Sequence, residues 1–232
     1  MVQLQPHLAP AWLRPLVGAL QAGEGARVIR ETLGARVHQK GGDDQAAVLI
    51  VFAGDPHATE LPHDARVLIT HRTPSMRSHS GQMAFPGGHI DPEDSGPVAA
   101  AIREAEEETG LEPARVVPLA VMGAATTGGS NRRVRPVVAY TPDPNEVYPA
   151  SEFETDDVFF VPVRDLINPA NRAMLGWSYW SGPAFWARRY LIWGFTGVLL
   201  SAVLEVAGWA VDWDKEPADL TEALARSDNR EL

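Results

Sequence analysis

Cysteine is absent from the 232-residue sequence, which excludes a disulfide framework and thiolate ligation of zinc and fits a reducing compartment. An excess of positive charge is missing as well. With a formal net charge of −10, the chain offers no general basic footprint for a phosphate backbone, so no nucleic-acid partner is expected. The opening stretch "MVQLQPHLAPAWLRPL" lacks a charged region followed by an apolar run, the pattern of a secretory signal. Together these absences predict a cytoplasmic protein.

Uninterrupted apolar segments are scarce too. One, "YLIWGFTGVLLSAVLEVAGWAV" at 190–211, has the length to cross a bilayer. Glu205 inside it would be costly in lipid, and Gly194, Gly197 and Gly208 lower its helix propensity. The segment is therefore expected to cover a soluble core as a helix, with no membrane partner.

What is present suffices for one sizeable core, since 45% of the residues are hydrophobic. "PAWLRPLVGALQ" reads as a short helix, and the segment after it carries no assignable pattern. "AAVLIVFAG", "ARVLITHR", "RVVPLAVMG", "RVRPVVAYT" and "DVFFVPV" are apolar, β-branched runs of strand length. "FWARRYLIWG" is expected to close the same sheet before a helix that starts near Gly194. Strands outnumber helices and helices flank them, which predicts an α+β arrangement. From Asp212 onward the chain is polar and lacks a bulky apolar pattern, so a loosely ordered acidic tail is expected. The division expected is a helical segment and linker over 1–44, a main domain over 45–211 and the tail over 212–232.

The stretch "AIREAEEETG" at 101–110 crowds four glutamates into five positions. On a helix turning about 100° per residue, Glu104, Glu107 and Glu108 share one face while Glu106 points away. Like charges three and four residues apart cost a helix a few tenths of a kcal/mol each, so a cationic neighbour is the expected reason. The plain alternative is a solvated acidic face. Val98, Ile102 and Ala105 form an apolar stripe beside the carboxylates, Pro97 stands near the helix start and Gly110 just past its end. Two basic islands flank this helix in sequence: Arg66, His71, Arg72, Arg77 and His79, then Arg132, Arg133 and Arg135. On an acidic protein such islands point to a small, multiply anionic ligand.

The loop and helix together, "GGHIDPEDSGPVAAAIREAEEETGL", resemble the Nudix box, GX5EX7REUXEEXGU with U aliphatic. "REAEEETGL" matches its second half, with Ala105 in the U position. In the first half the acidic position counted from Gly88 is Asp94 rather than Glu, and eight residues rather than seven separate it from Arg103. Upstream, "LITHRTPSMRSHSGQMAFPGG" resembles the LLTXR(S/A)X3RX3GX3FPGG pattern of coenzyme A pyrophosphatases, a branch of the Nudix family. Leu68, Thr70, Arg72, Arg77, Gly81 and Phe85 to Gly88 fall in register, while Ile69 and Thr73 are changes. The likeness spans about residues 45 to 205.

The resemblance implies a Nudix fold, a mixed β-sheet sandwiched between α-helices, and hydrolysis of a nucleoside diphosphate linked to another moiety. For the coenzyme A branch the products are 3′,5′-ADP and 4′-phosphopantetheine or its acyl derivative. It implies Mg²⁺ or Mn²⁺, hard cations suited to oxygen ligands, with Glu104, Glu108, Glu107 and the Gly88 carbonyl as ligands. Arg103, with Glu107, joins the catalytic set by orienting a glutamate. The general base is either a box glutamate or an acid of "SEFETDD", which holds Glu152, Glu154 and Asp157; Glu154 is the candidate. Arg72 and Arg77 would grip phosphates, Gly87 would let the backbone approach the substrate, and Phe85 is either core or site wall. The alternatives are another nucleoside diphosphate derivative, such as ADP-ribose or a dinucleotide, and a Nudix-derived binding module without turnover. A homodimer is compatible with the sequence, which does not specify the oligomeric state.

Overall fold

The computed structural model describes residues 2–33, 43–76, 78–126, 132–178 and 180–231. Helices α1 (Arg14–Gln21) and α2 (Glu24–Leu33) precede strands β1 (Ala46–Ala53) and β2 (Arg66–Arg72). Then come β3 (Met83–Ala84), β4 (Gly87–His89), helix α3 (Pro97–Thr109), β5 (Val117–Val121), β6 (Ala125–Thr126), β7 (Arg133–Thr141) and β8 (Thr155–Pro162). The rest is α4 (Val163–Ile167), β9 (Arg172–Trp177), β10 (Trp180–Ala187), β11 (Tyr190–Ile192), α5 (Gly194–Val206), β12 (Pro217–Asp219) and α6 (Leu220–Ala225).

β1 has no polar side chain, because it lies in the middle of the molecule with both faces covered. Ile50 and Phe52 enter one core, with Trp12, Leu16, Leu199 and Val203 from the helices on that side. Ala47, Leu49 and Val51 enter the other, against Ala100, Ala101, Ile102 and Ala105 of α3. The main sheet runs β3-β2-β1-β7-β5, with β4 also on β1, β6 on β7 and β8 on β2. Among the described residues, only its β1–β7 pairing is parallel. The arrangement is α+β as expected, a mixed sheet flanked by helices.

Three differences from the sequence-based expectations have physical reasons. The unassigned segment after the first helix is α2, whose Val28 and Ile29 are buried, so the N-terminal region belongs to the same core as the sheet. Its predicted linker, apart from Asp43 and Asp44, lies outside the described residues. "FWARRYLIWG" does not close the main sheet. It forms the β10–β11 hairpin of a second, four-stranded sheet ordered β11-β10-β9-β12. The tail is not loosely ordered: β12 pairs with β9, Leu220 and Ala223 are buried, and Asn229 has no exposed surface. Leu220, Ala223 and Leu224 of α6 pack on Leu175, Ala184 and Leu191, and the side chain of Asn229 holds the residues that follow through hydrogen bonds. α5 covers the core as expected, and among the described residues no helix is long and apolar enough to cross a membrane.

Candidate active site

The site begins with small residues. Alanines at 100, 101 and 105 let α3 lie close on β1, and Gly110, at φ 66, ends the helix in the left-handed conformation while its N–H reaches the Glu106 carbonyl at 2.8 Å. β4 pairs antiparallel with β1, setting Gly87 opposite Val48 and Gly88 opposite Ala47. A Cβ on Gly88 would stand 2.5 Å from Glu104 Cδ, and one on Gly87 would stand 2.6 Å from Val48 Cα. Each glycine is thus required by a close approach, the first by a carboxylate and the second by backbone.

Between α3 and β4 opens a cavity of about 340 Å³. Of the residues singled out in the sequence, Arg72, Phe85, Gly87, Gly88, Glu104, Glu108 and Glu154 line it. Phe85 is at once wall and core, being 3% exposed. Glu108 is buried at 3% exposure, its Oε2 accepts from the Gly87 N–H at 3.3 Å, and Arg72 Nη1 lies 4.0 Å from Oε1. Burial pushes its carboxyl up to about 8, with Glu104 and Glu154 adding to the rise and Arg72 and the Gly87 N–H opposing it. Burial also raises the Glu104 carboxyl, against the nearby Arg103 guanidinium. The Arg72 Nε is buried without a hydrogen-bond partner.

Arg103 does not line this cavity but contacts several acids around it. Its Nη1 is 3.2 Å from Glu104 and 3.1 Å from Glu107, and its Nη2 donates to the His89 carbonyl at 3.0 Å. Asp94 accepts from Nε at 3.2 Å and from Nη2 at 2.9 Å, which holds its carboxyl below the usual range. Glu107 is not among the cavity's lining residues; its side chain is 57% exposed and rests on Arg103. Arg77 lies outside the described residues. Of the three acids near residue 155, Glu154 lines the cavity, Glu152 is exposed, and Asp157 accepts from the Tyr190 hydroxyl at 3.1 Å.

Other lining residues came without an assigned role from the sequence. His79 and Arg132 belong to the basic islands and reach the cavity, whereas Arg133 and Arg135 bond Asp44 at 2.9 and 2.7 Å. Phe195 and Thr196 line it from the start of α5; their only signal was the "IWGFTG" block shared with the resembled branch. Gln82 lines it beside His79, whose Nδ1 lies 2.9 Å from Gln82 Oε1. Glu104, Glu108 and Glu154 thus share the cavity with Arg72, His79 and Arg132 and with the apolar Val48 and Met83.

Among the described residues no three His, Asp or Glu side chains form a ready cage for a metal ion. Mg²⁺ does not need one, because it keeps several waters and commonly binds through one or two carboxylates together with substrate phosphates. Glu104 and Glu108 supply that pair in a setting where burial disfavours uncompensated negative charge. The donor set is oxygen-only and fits a hard divalent cation.

A family profile described as the NUDIX domain matches residues 38–180, more than half of the chain. The protein named "Uncharacterized Nudix hydrolase NudL" in Escherichia coli K12 is 34% identical over 188 residues, covering 78% of this chain and 88% of NudL. Among solved structures, the Nudix hydrolase RenU of M. smegmatis aligns with 54% of this chain and 74% of its own at 25% identity and a TM-score of 0.42. A MutT/nudix family protein from Enterococcus faecalis aligns with 81% of this chain and 80% of its own at 14% identity and a TM-score of 0.44.

Proposed function

The chain belongs to the Nudix family, and within that family we propose that its substrate is coenzyme A or a close derivative, cleaved at the diphosphate. The general activity follows from the family: a Nudix pyrophosphohydrolase acting on a phosphoanhydride bond in a nucleoside-diphosphate-linked substrate. The coenzyme A reading rests on the register of Leu68 to Gly88 with the coenzyme A pyrophosphatase pattern. One structural observation supports the chemistry. Buried Glu108, half-buried Glu104 and an arginine whose Nε is buried without a partner line one cavity, an arrangement that suits a metal-neutralised diphosphate.

In this reading Glu104, Glu108 and the Gly88 carbonyl hold Mg²⁺ or Mn²⁺. When bound, the cation neutralises the diphosphate and lowers the pKa of an attacking water. Arg72 donates to phosphate oxygens, supported by His79 and Arg132. Glu154 takes the proton of the incoming water, and Phe85 and Met83 keep bulk solvent from the floor. Arg103 and Glu107 act at one remove by fixing the orientation of Glu104. Water adds to one phosphorus as the bridging P–O bond breaks, leaving two phosphomonoesters.

The test is product analysis after incubation with coenzyme A and Mn²⁺, beside ADP-ribose and a dinucleotide. Formation of 3′,5′-ADP and 4′-phosphopantetheine is expected. Cleavage of ADP-ribose or the dinucleotide with coenzyme A untouched would move the reading to another nucleoside diphosphate derivative. No turnover of any of them with metal present would leave a binding module.

A further inference from the structure

A second cavity, of about 330 Å³, shares no lining residue with the first. It lies between β9, β10, α5 and the segment that follows α5, and its inner wall is Arg172. This arginine is only 8% exposed. Its guanidinium lies over two rings, 4.8 Å from the centroid of Phe185 and 4.3 Å from that of Trp213. Aromatic faces on a guanidinium occupy its π surfaces and leave the in-plane N–H groups as its route to hydrogen bonds. One of these is used: Nη2 donates to Ser201 Oγ at 3.0 Å. The Nε–H is buried with no partner.

A buried cation normally carries an anion or a full set of acceptors. Among the described residues no ion pair holds Arg172, and Glu205 acts on it only at longer range. Burial accordingly draws its pKa down to about 10. A second cation, Lys215, lines the same cavity and sits 6.0 Å from the Trp213 ring centroid. Glu205 and Asp212 also line it, with exposed side chains at its rim. The cavity therefore presents an under-satisfied planar donor and a hydroxyl from its buried side and, from exposed Lys215, an ammonium at its rim. That donor set matches a phosphoryl oxyanion, which accepts in-plane pairs from arginine and a point charge from lysine.

We propose that this cavity is a second anion-binding site, separate from the catalytic cavity, that takes a phosphate group on Arg172, Ser201 and Lys215. The ligand is inorganic phosphate or the phosphate end of a small phosphomonoester. Trp213 and Phe185 hold the guanidinium in the plane that receives it, and Ser201 fixes its rotation. Nothing in this inference depends on which nucleotide the catalytic cavity accepts.

The experiment follows the arginine Nε–H resonances of the full-length, metal-free protein by ¹⁵N NMR during titration with inorganic phosphate and, separately, adenosine 5′-monophosphate. Chloride at matched ionic strength is the control. Arg172→Lys assigns the resonance; should that variant not fold, the fluorescence difference between wild type and Trp213→Phe supplies a second readout. A saturable shift with phosphate is expected, weakened about tenfold by Lys215→Ala and unchanged by Arg72→Ala. Equal response to both probes makes the phosphoryl group the ligand, and response to the nucleotide alone makes it a phosphomonoester site. Lys215→Ala should leave diphosphate hydrolysis unaltered. No saturable shift, an equal shift with chloride, or a shift abolished by Arg72→Ala but not weakened by Lys215→Ala would overturn the proposal.

Discussion

Asp94 and Arg103 form a two-pronged pair, with Nε at 3.2 Å and Nη2 at 2.9 Å from the two carboxylate oxygens. Asp94 is thereby bound to the guanidinium whose remaining nitrogen reaches Glu104 and Glu107. The irregular half of the box thus supplies an anchor for Arg103, and the extra residue between them is absorbed by the loop before α3. Asp94→Asn keeps one acceptor and loses the charge-assisted pair, which is worth about 1.5–3 kcal/mol when shielded from water. The expected result is a lower melting temperature and a kcat reduced about tenfold with little change in KM, because Glu104 loses its orientation rather than the substrate its contacts. Thermal unfolding and steady-state kinetics on the same preparation decide it; wild-type values in both would release Asp94 from this role.

Glu108 makes metal-free stability depend on pH in an unusual direction for a carboxylate. Its folded pKa, about 8, lies above its ordinary value, so between about 4.5 and 8 the native state binds a proton that the unfolded state has released. Stability from this group is complete below the unfolded pKa and is lost as pH rises through the folded one. Without divalent cation, wild type should therefore lose stability from pH 5 to pH 8 relative to Glu108→Gln. Added Mg²⁺ or Mn²⁺ should restore it in wild type alone, since the cation takes the proton's place. Glu108→Gln should also abolish turnover. Parallel wild-type and mutant stability curves without metal would contradict the buried-carboxylate account.

Two adjacent glycines should fail differently when replaced. At Gly88 the added methyl meets the far end of a flexible side chain, Glu104, so Gly88→Ala should fold with near wild-type stability while displacing that carboxylate. A catalytic group moved by about 1 Å costs on the order of a hundredfold in rate. At Gly87 the methyl meets the Val48 backbone, and φ of 157 is already unfavourable for an L side chain, so Gly87→Ala should lower the melting temperature first. Comparable stability losses in both variants would show that Glu104 cannot yield as its side chain implies.

Five strands of the main sheet were legible as β-branched, apolar runs of strand length such as "AAVLIVFAG", whereas the short β3, β4 and β6 carry no such run. The carboxylate helix was legible through its crowding of charge and its proline and glycine boundaries. Sequence spacing placed Glu107 with Glu104 and Glu108, yet one step of about 100° turns it from the cavity to Arg103, a distinction that needs the neighbouring strand to be seen. α2 escaped notice because its apolar positions are few and its burial comes from contact with α1 and α5. The second sheet was invisible for a similar reason: a hairpin pattern does not say which sheet it joins.

The C-terminal segment is polar in sequence, and beyond the apolar contacts of Leu220 and Ala223 its packing is polar too. Asn229 acts as a strand substitute: Leu191 N–H donates to its Oδ1 at 2.8 Å, and its Nδ2 donates to the Leu191 carbonyl at 2.9 Å. Its own backbone carbonyl accepts from His71 Nε2 at 3.0 Å, next to Arg72 on β2. Glu231 then accepts from Trp193 Nε1 at 2.7 Å and from Gln82 Nε2 at 3.4 Å, and Gln82 lines the catalytic cavity. Gly81, at φ 69, lies so close to this segment that a Cβ would stand 2.9 Å from Glu231 N. Asn229→Ala strands buried donors and acceptors on β11, each costing about 1–3 kcal/mol, so the melting temperature should fall by several degrees. Ending the chain after Asp228 should do the same and, by freeing the 79–82 turn, raise KM more than it lowers kcat. Glu231→Gln separates the two effects, because it keeps Asn229 on β11 while weakening the hold on Gln82. It should change KM with little change in melting temperature, and wild-type kinetics for both the truncation and Glu231→Gln would make this end of the chain structural only.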